Sequence, residues 1–242
     1  VPLSVVLTQG EECAVFWSAF RANREKCSTY PKPSRFFLKT QSYGGKGVRV
    51  IDPCGQILTE EEMVCPIADK YDHPPIVMKE VTSWPLTSES SLEAHKFDRR
   101  VYILIVSYDP LIIYYSRGHL QTSPFSMNST HPDKDITNPH KAEAATSDAR
   151  RFLRPVSAFL ESLTAAVGAS RASDTMECVE RAVANAVLQV VYSFVAEARK
   201  LGTLPSAMMH HLGIDVMIDA KLQPFPIDVN TSPGIRRLYP WS

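Results

Sequence analysis

The sequence has 242 residues, enough for one large domain or two small ones with a sizeable core. Its 26 basic and 26 acidic residues give a formal net charge of zero. This balance argues against a general binder of nucleic acids or anionic membranes, because both activities need an excess of positive charge. The 44% of hydrophobic and 21% of charged residues exclude a wholly disordered chain.

The cysteines predict free thiols in a reducing compartment. Their number is odd, their spacing is wide and no C-x-x-C pair occurs, which argues against a disulfide framework and a zinc site. No window reaches the roughly 18 uninterrupted apolar residues of a membrane span. The chain begins with Val1 rather than Met, so we expect a fragment of a longer protein. The five cysteines are Cys13, Cys27, Cys54, Cys65 and Cys178.

The first half of the chain predicts one helix and several short strands. Residues 10–24 have apolar side chains at helical spacing. Residues 84–95 are rich in Ser and Glu without an apolar period, which predicts a loop. The predicted strands are 36–39, 48–51 and 76–78.

The second half predicts hairpins around two helices. The turn signal Asp109-Pro110 joins strands over 97–106 and 111–115, and a polar surface loop is expected over 121–147. Strands that alternate with helices through tight hairpins indicate an α+β fold with a mainly antiparallel sheet. The predicted helices run through 152–167 and 176–194, and a last hairpin joins 213–218 to 224–229.

The last hairpin carries a polar face. Because side chains alternate along a strand, Asp215, Asp228 and Asn230 share one side of the sheet. A two-residue turn at Lys221-Leu222 places Asp215 opposite Asp228, and two opposed carboxylates are destabilising unless a cation lies between them. Oxygen ligands of this kind suit Mg²⁺. The alternative is a solvated polar face without a metal.

A charged strand precedes this hairpin. Lys96, Asp98 and Arg100 lie at every second position and therefore share a face, opposite Phe97 and Val101. Such a row is suited to an anion site, because Arg binds oxyanions with two parallel hydrogen bonds and Lys supplies a mobile charge. The alternative is a ladder of surface ion pairs, which contributes little to stability.

A glycine-rich segment lies between the predicted strands 36–39 and 48–51. Backbone amides of Gly44–Gly47 can cap phosphates while Lys39 and Lys46 supply charge. The segment lacks the strand-to-helix pattern of a phosphate-binding P-loop, so an ordinary flexible hairpin is the alternative.

Taken in chain order, these segments resemble the tubulin–tyrosine ligase-like family of ATP-grasp ligases over residues 36–238. The strand-Lys-glycine segment and the Lys-Phe-Asp-x-Arg strand resemble the family's first two motifs. The last hairpin, with Asp215 and Asp228, resembles the family's last motif. The four matching motifs are Phe37-Leu38-Lys39 with Gly45-Lys46-Gly47-Val48, Lys96-Phe97-Asp98-x-Arg100, Thr137-Asn138, and Gly213-Ile214-Asp215-Val216 with Ile227-Asp228-Val229-Asn230-Thr231-Ser232-Pro233.

The resemblance implies an ATP-grasp core over residues 1–242, with nucleotide held between α+β lobes at about 1–80 and 81–242. It implies an ATP- and Mg²⁺-dependent ligase that adds Glu, Gly or Tyr to a protein carboxylate through an acyl phosphate. The expected partners are a free amino acid and the acidic tail of tubulin or of another protein, with no nucleic acid or membrane. The expected location is the cytoplasm, with the cytoskeleton or cilium.

The resemblance also assigns roles to single residues. Arg100 is expected at the acyl phosphate as the catalytic residue. Asp215, Asp228 and Asn230 are expected to hold Mg²⁺. The expected ATP contacts are Lys39, Lys46, Gly47, Met78, Lys79, Glu80, Val81, Lys96, Asp98, Thr137 and Asn138.

The chain departs from the family pattern at several positions, none of which removes a charge that the chemistry needs. Residues 87–95 form a longer linker than is usual in the family, and Arg99 occupies a position that is usually apolar. The departures leave a second hypothesis open, a weakly active or inactive member that binds nucleotide or microtubules as an adaptor. The remaining substitutions are Met78 for Gln, Glu80 for Tyr, Asp135 for His and Asp228 for Glu.

Overall fold

The computed structural model describes residues 4–6, 11–29, 34–39, 48–55, 75–88, 91–131, 134–137, 152–202 and 209–233. The chain divides into two compact units, Val1–Val81 and Thr82–Ser242. Each unit packs helix against antiparallel strands, so the predicted α+β class with mainly antiparallel sheets is confirmed.

The first unit is a small sheet covered by one helix. The described strands are β1 (Ser4–Val6), β2 (Phe36–Lys39), β3 (Val48–Ile51) and β4 (Ile76–Lys79), which pair in the order β1-β4-β2-β3. The helix α1 (Glu11–Arg24) buries apolar side chains at three- and four-residue spacing, as an amphipathic helix on a sheet must. The core of this unit contains Cys13, Phe16, Trp17, Phe20, Phe36, Leu38, Ile51 and Val77.

The cysteine prediction was wrong in this unit. A disulfide joins Cys27, in the turn after α1, to Cys54, in the turn after β3, with a Cα–Cα distance of 5.4 Å. Cys13 is also disulfide-bonded, whereas Cys178 in the second unit is a free, exposed thiol. Sequence spacing did not reveal the pair because the sheet, not the local chain, brings these two turns together.

The second unit is built on a larger sheet. Its described strands pair in the order β10-β9-β6-β7-β8, and β5 pairs with β6. The long β6–β7 hairpin confirms the turn at Asp109-Pro110, but both strands extend into residues 91–95 and 121–126, which were predicted as loop. The strands are β5 (Leu86–Ser88), β6 (Ser91–Tyr108), β7 (Leu111–Ser126), β8 (Leu153–Arg154), β9 (His210–Ile218) and β10 (Pro224–Asn230).

Two helices cover one face of this sheet. The first, α2 (Ser157–Val167), begins later than predicted, because Pro155 favours extended backbone in the residue before it and Leu153–Arg154 forms β8. The second, α3 (Ala169–Lys200), is by length and composition the one described helix that fits a membrane span. Packing against the sheet accounts for its apolar stripe, whose buried members are Val179, Val183, Val187, Val191 and Val195.

Candidate active site

The predicted charged row lies on the face of β6 opposite the core. Phe97 and Val101 point into the core with 0% exposure, while Lys96 and Asp98 on the other face are 2% and 4% exposed. Burying a charge costs free energy unless partners compensate it. The row is therefore a buried polar site, and the alternative of a surface ion-pair ladder is wrong.

A short segment after β7 supplies partners to the first two charges. The Lys96 Nζ lies 3.9 Å from Oδ1 of Asp135, the residue that replaces the family's usual His. The Thr137 hydroxyl donates a hydrogen bond to Oδ2 of Asp98. The structure thus brings Thr137 to the charged row, while Asn138 lies outside the described residues.

Arg100 pairs with the predicted metal ligand Asp215. The two residues are direct partners in the β6–β9 ladder, and Arg100 donates from Nε to Oδ1 and from Nη2 to Oδ2, the latter at 2.8 Å. Burial alone lowers the pKa of Arg100, but the hydrogen bonds and charge of Asp215, with the charge of Asp98, raise it above its ordinary value. Arg100 therefore stays charged at any physiological pH.

Gln121 is a site residue that the sequence analysis missed. Its side chain is 3% exposed, and its Nε2 lies 3.3 Å from Oδ1 of Asp215. The groups around this amide favour the orientation with oxygen and nitrogen exchanged, in which the oxygen accepts from Nε and Nη2 of Arg100, both at 3.2 Å. The predicted loop over 121–147 hid this residue, although continuing the hairpin register from Asp109-Pro110 pairs Gln121 with Asp98.

A bulge in β7 fixes the backbone beside Arg100. The β6–β7 register shifts between Arg100 and Tyr102, and Gly118 in this irregularity has a φ of 65°. A Cβ added to Gly118 would lie 1.7 Å from the carbonyl oxygen of Arg100. Only glycine fits so close to the Arg100 backbone.

The carboxylate pair of the last hairpin forms in the predicted register by a different turn. The Asp219 N–H donates to the Gln223 carbonyl, so the two-residue turn was wrong. A register shift between Pro226 and Asp228 then places Asp228 opposite Asp215. The turn contains Leu222 with a φ of 63°.

The oxygen donors at this hairpin fit Mg²⁺ in kind. Asp215 and Asp228 face each other, and Asn230 Nδ2 donates to Asp228 Oδ2 at 3.3 Å, which leaves the amide oxygen of Asn230 as a third donor. Mg²⁺ is commonly held by one or two carboxylates together with substrate phosphates. Among the described residues, no three His, Cys, Asp or Glu side chains cluster in a way suited to a metal, so water or phosphate oxygens would complete the shell.

In the first unit, the predicted nucleotide residues divide between two faces. Register with β2 puts Met78 on the face of Lys39, away from the core, and Lys79 on the other face, where it is exposed. Glu80 pairs with Arg35, with Oε2 2.9 Å from Nε, and the Glu80 N–H donates to the Arg35 carbonyl at 2.8 Å. Val81 ends the unit. Lys46 and Gly47 lie outside the described residues.

The sequence model of the tubulin-tyrosine ligase family matches residues 13–240. The chain belongs to this family. The match confirms the resemblance drawn from the motifs, and the α+β fold agrees with the ATP-grasp-like architecture of tubulin-tyrosine ligase family members.

The curated relatives of this tubulin-tyrosine ligase family chain are much longer proteins. Tubulin polyglutamylase TTLL6 of Homo sapiens is 27% identical over 211 residues, covering 78% of this chain and 21% of the relative. Tubulin polyglutamylase ttll-5 of Caenorhabditis elegans is 25% identical, with coverages of 84% and 28%. Tubulin polyglutamylase TTLL5 of Mus musculus is 25% identical, with coverages of 87% and 16%. The chain thus spans less than a third of each relative.

Proposed function

We propose that this chain is an ATP- and Mg²⁺-dependent ligase that forms an amide bond between a free amino acid and a protein carboxylate. The observation that carries the proposal is the row of Lys96, Asp98 and Arg100 on one sheet face, of which the first two are buried, with Asp215 and Asp228 opposed on the neighbouring strands. Membership of the tubulin-tyrosine ligase family supports the same reaction class.

The chemistry requires the carboxylate to be activated, because a free carboxylate is a poor acylating agent. Transfer of the terminal phosphoryl group of ATP to a carboxylate oxygen gives an acyl phosphate and ADP. The amine then attacks the acyl carbon, and phosphate leaves as the amide bond forms. In this proposal Arg100 stabilises the negative charge that develops on the carbonyl oxygen during that attack.

The remaining residues bind and orient the nucleotide. Lys39, Lys46 and Lys96 are the proposed cations for its phosphates, and the backbone near Lys79 is proposed to read the base. Asp215, Asp228 and Asn230 are the proposed holders of Mg²⁺, which when bound supplies charge neutralisation at the phosphates. The Thr137 hydroxyl donates a hydrogen bond to Asp98, and we propose that both residues contact the nucleotide beside Lys96.

The names of the relatives point to the substrates. All three relatives named above are tubulin polyglutamylases, so we propose glutamate as the added amino acid and an acidic tubulin tail as the acceptor. Glycine, tyrosine and a different acidic protein tail are the alternatives to be compared. A cytoplasmic location at the cytoskeleton or cilium goes with this acceptor. The Cys27–Cys54 disulfide argues in the other direction, because disulfides are rare in the reducing cytosol.

A second candidate function is a non-catalytic adaptor that binds nucleotide or microtubules. The observation that favours it is the Arg100–Asp215 pair, in which the proposed catalytic cation and a proposed metal ligand neutralise one another. Turnover in this chain requires that pair to open.

An incorporation assay with a matched pair of variants tests the proposal. The chain is incubated with ATP, Mg²⁺, tubulin and radiolabelled Glu, Gly or Tyr, and binding of a fluorescent ATP analogue is measured on the same samples. Arg100→Ala should lower the incorporation rate by about a hundredfold with little change in nucleotide affinity, because the interaction acts mainly in the transition state. Arg181→Ala is the control, since Arg181 is an exposed arginine on α3.

The two hypotheses give different results in this assay. Incorporation by the wild-type chain that depends on Arg100 supports the ligase. Nucleotide binding without incorporation of any amino acid supports the adaptor. Normal incorporation by Arg100→Ala removes Arg100 from the catalytic role.

A further inference from the structure

Two cations, Arg100 and Mg²⁺, compete for Asp215 in the proposed reaction. Both of its carboxylate oxygens accept hydrogen bonds from Arg100, and the same carboxylate is a proposed holder of Mg²⁺. The oxygens cannot serve a guanidinium with this geometry and a divalent cation together, because two cations at contact distance repel strongly. The side chain of Arg100 must therefore find another partner whenever Asp215 turns to a cation.

Gln121 is the neutral group that reaches both members of the pair. It lies diagonally from Arg100 in the ladder, directly opposite Asp98, and it is as deeply buried as Lys96 and Asp98. Its amide carries a donor and an acceptor at the same end. With nitrogen towards Asp215 it donates at 3.3 Å, and with oxygen towards Arg100 it accepts from two N–H groups at 3.2 Å.

We propose that Gln121 is a positioning residue that keeps Arg100 at the reaction centre when Asp215 is released to a divalent cation. In the cation-free site the amide oxygen of Gln121, in the orientation that its neighbours favour, already accepts from the Arg100 guanidinium beside the Arg100–Asp215 pair. When Asp215 leaves, this oxygen remains as a partner of Arg100, which the charge of Asp98 also attracts. A hydrogen bond to a charged group is stronger than a neutral one, so the amide holds Arg100 in place. This inference rests on the proposed ligase function.

The first test compares turnover with binding. Gln121→Leu keeps the size of the side chain but removes the amide. Thr122→Val is the control, because Thr122 lies on the other face of the same strand and donates a hydrogen bond to the Phe152 carbonyl. Gln121→Leu should lower kcat by about 10- to 100-fold, as loss of an orienting partner does, with KM for ATP changed less than about threefold. Thr122→Val should leave kcat within about twofold of wild type.

The second test needs no turnover and uses Mn²⁺ alone as the probe, since Mn²⁺ and Mg²⁺ share a preference for carboxylate oxygens. Free Mn²⁺ is counted by electron paramagnetic resonance during a titration of each variant. Arg100→Gln should bind Mn²⁺ about tenfold more tightly because the competing cation is gone. Gln121→Leu should bind Mn²⁺ about threefold more weakly. Without the amide oxygen to accept its hydrogen bonds, Arg100 stays on Asp215 and competes with Mn²⁺.

A double variant separates positioning from a direct effect on Asp215. If Gln121 acts through Arg100, adding Gln121→Leu to Arg100→Gln should leave Mn²⁺ affinity unchanged. An equal weakening with and without Arg100, or unchanged kcat and Mn²⁺ affinity in Gln121→Leu, would overturn the proposal. If the wild-type chain incorporates no amino acid, the ligase function fails, and the Mn²⁺ titrations still decide the role of Gln121.

Discussion

At the scale of single residues, Arg100 changes the electrostatics of the carboxylate pair. The sequence predicts repulsion between Asp215 and Asp228 that only a bound cation relieves. In the folded chain the guanidinium of Arg100 supplies that positive charge, and Asp228 is exposed to water, which screens its interaction. The charge of Asp215 is therefore balanced without a bound metal.

This balance predicts the behaviour of Asp228→Asn. Its free energy of unfolding without ligand should lie within about 1 kcal/mol of wild type, because an exposed charge whose neighbour is already neutralised contributes little. The same change should remove most of the thermal stabilisation by Mg·ATP, since a ligand stabilises a fold only as strongly as it binds.

Thermal unfolding with and without Mg·ATP measures both effects. Glu177→Gln is the control, because Glu177 is an exposed carboxylate on α3 with a side-chain exposure of 75%. Equal shifts of the unfolding midpoint in wild type and Asp228→Asn would show that Asp228 does not hold the metal.

Strand alternation predicted the residues of this site but not their pairing. Period-two spacing placed Lys96, Asp98 and Arg100 on one face, and hairpin register placed Asp228 opposite Asp215. The Arg100–Asp215 pair was not predictable, because it joins residues 115 positions apart through β6–β9 pairing, which no local pattern specifies. Gln121 was missed for a local reason, since its polar neighbours resemble a surface loop.

At the scale of elements, a buried ion pair ties helix α3 to the sheet behind the site. Arg99 is 1% exposed, and its Nη1 and Nη2 donate to Glu180 at 2.8 and 3.0 Å. Its Nε donates to the carbonyl of Arg117 at 2.9 Å. Arg99 stands at a position that is apolar in the family pattern. It can be buried there because Glu180 on α3 provides an oppositely charged partner.

Breaking this pair should be costly, whereas replacing it should not. Glu180→Ala should lower the free energy of unfolding by about 3–5 kcal/mol, because it leaves the Arg99 guanidinium buried without its charged partner. The double change Arg99→Met with Glu180→Leu should restore stability to within about 1 kcal/mol of wild type, since apolar side chains of similar size often replace a buried ion pair without loss.

Urea unfolding followed by circular dichroism gives these differences from the transition midpoints. A loss below about 1 kcal/mol in Glu180→Ala would mean that the pair contributes little and that the valine stripe alone fixes α3. A double variant as unstable as Glu180→Ala would mean that the charges themselves are required.

The elements also differ in how far the sequence predicts them. The valine spacing of α3 and the alternation of β9 identify a helix and a strand, because one face of each is apolar. The start of β6 was misplaced because polar side chains at this end have tertiary partners, such as the Ser123 carbonyl bonded to the His95 ring nitrogen. The start of α2 was misplaced because the helical spacing was carried across Pro155. The local composition of the sequence does not indicate such tertiary partners.

At the scale of the whole molecule, the two units and the family match favour one reaction class. Each unit presents a sheet face with predicted nucleotide residues opposite its own hydrophobic core, Lys39 and Met78 in the first and the charged row in the second. Four motifs in the order of the family predicted this assignment, whereas the disulfide between Cys27 and Cys54 depended on the fold of the first unit.

The products of ATP test the central claim most directly. The chain is incubated with ATP, Mg²⁺, labelled glutamate and tubulin, with ¹⁸O in the acceptor carboxylates, and the nucleotide, phosphate and incorporated glutamate are quantified together. An acyl phosphate route predicts one ADP and one phosphate for each glutamate joined, with ¹⁸O from the acceptor appearing in the phosphate. Formation of AMP and pyrophosphate, or glutamate joined without ¹⁸O in the phosphate, would contradict the proposed reaction.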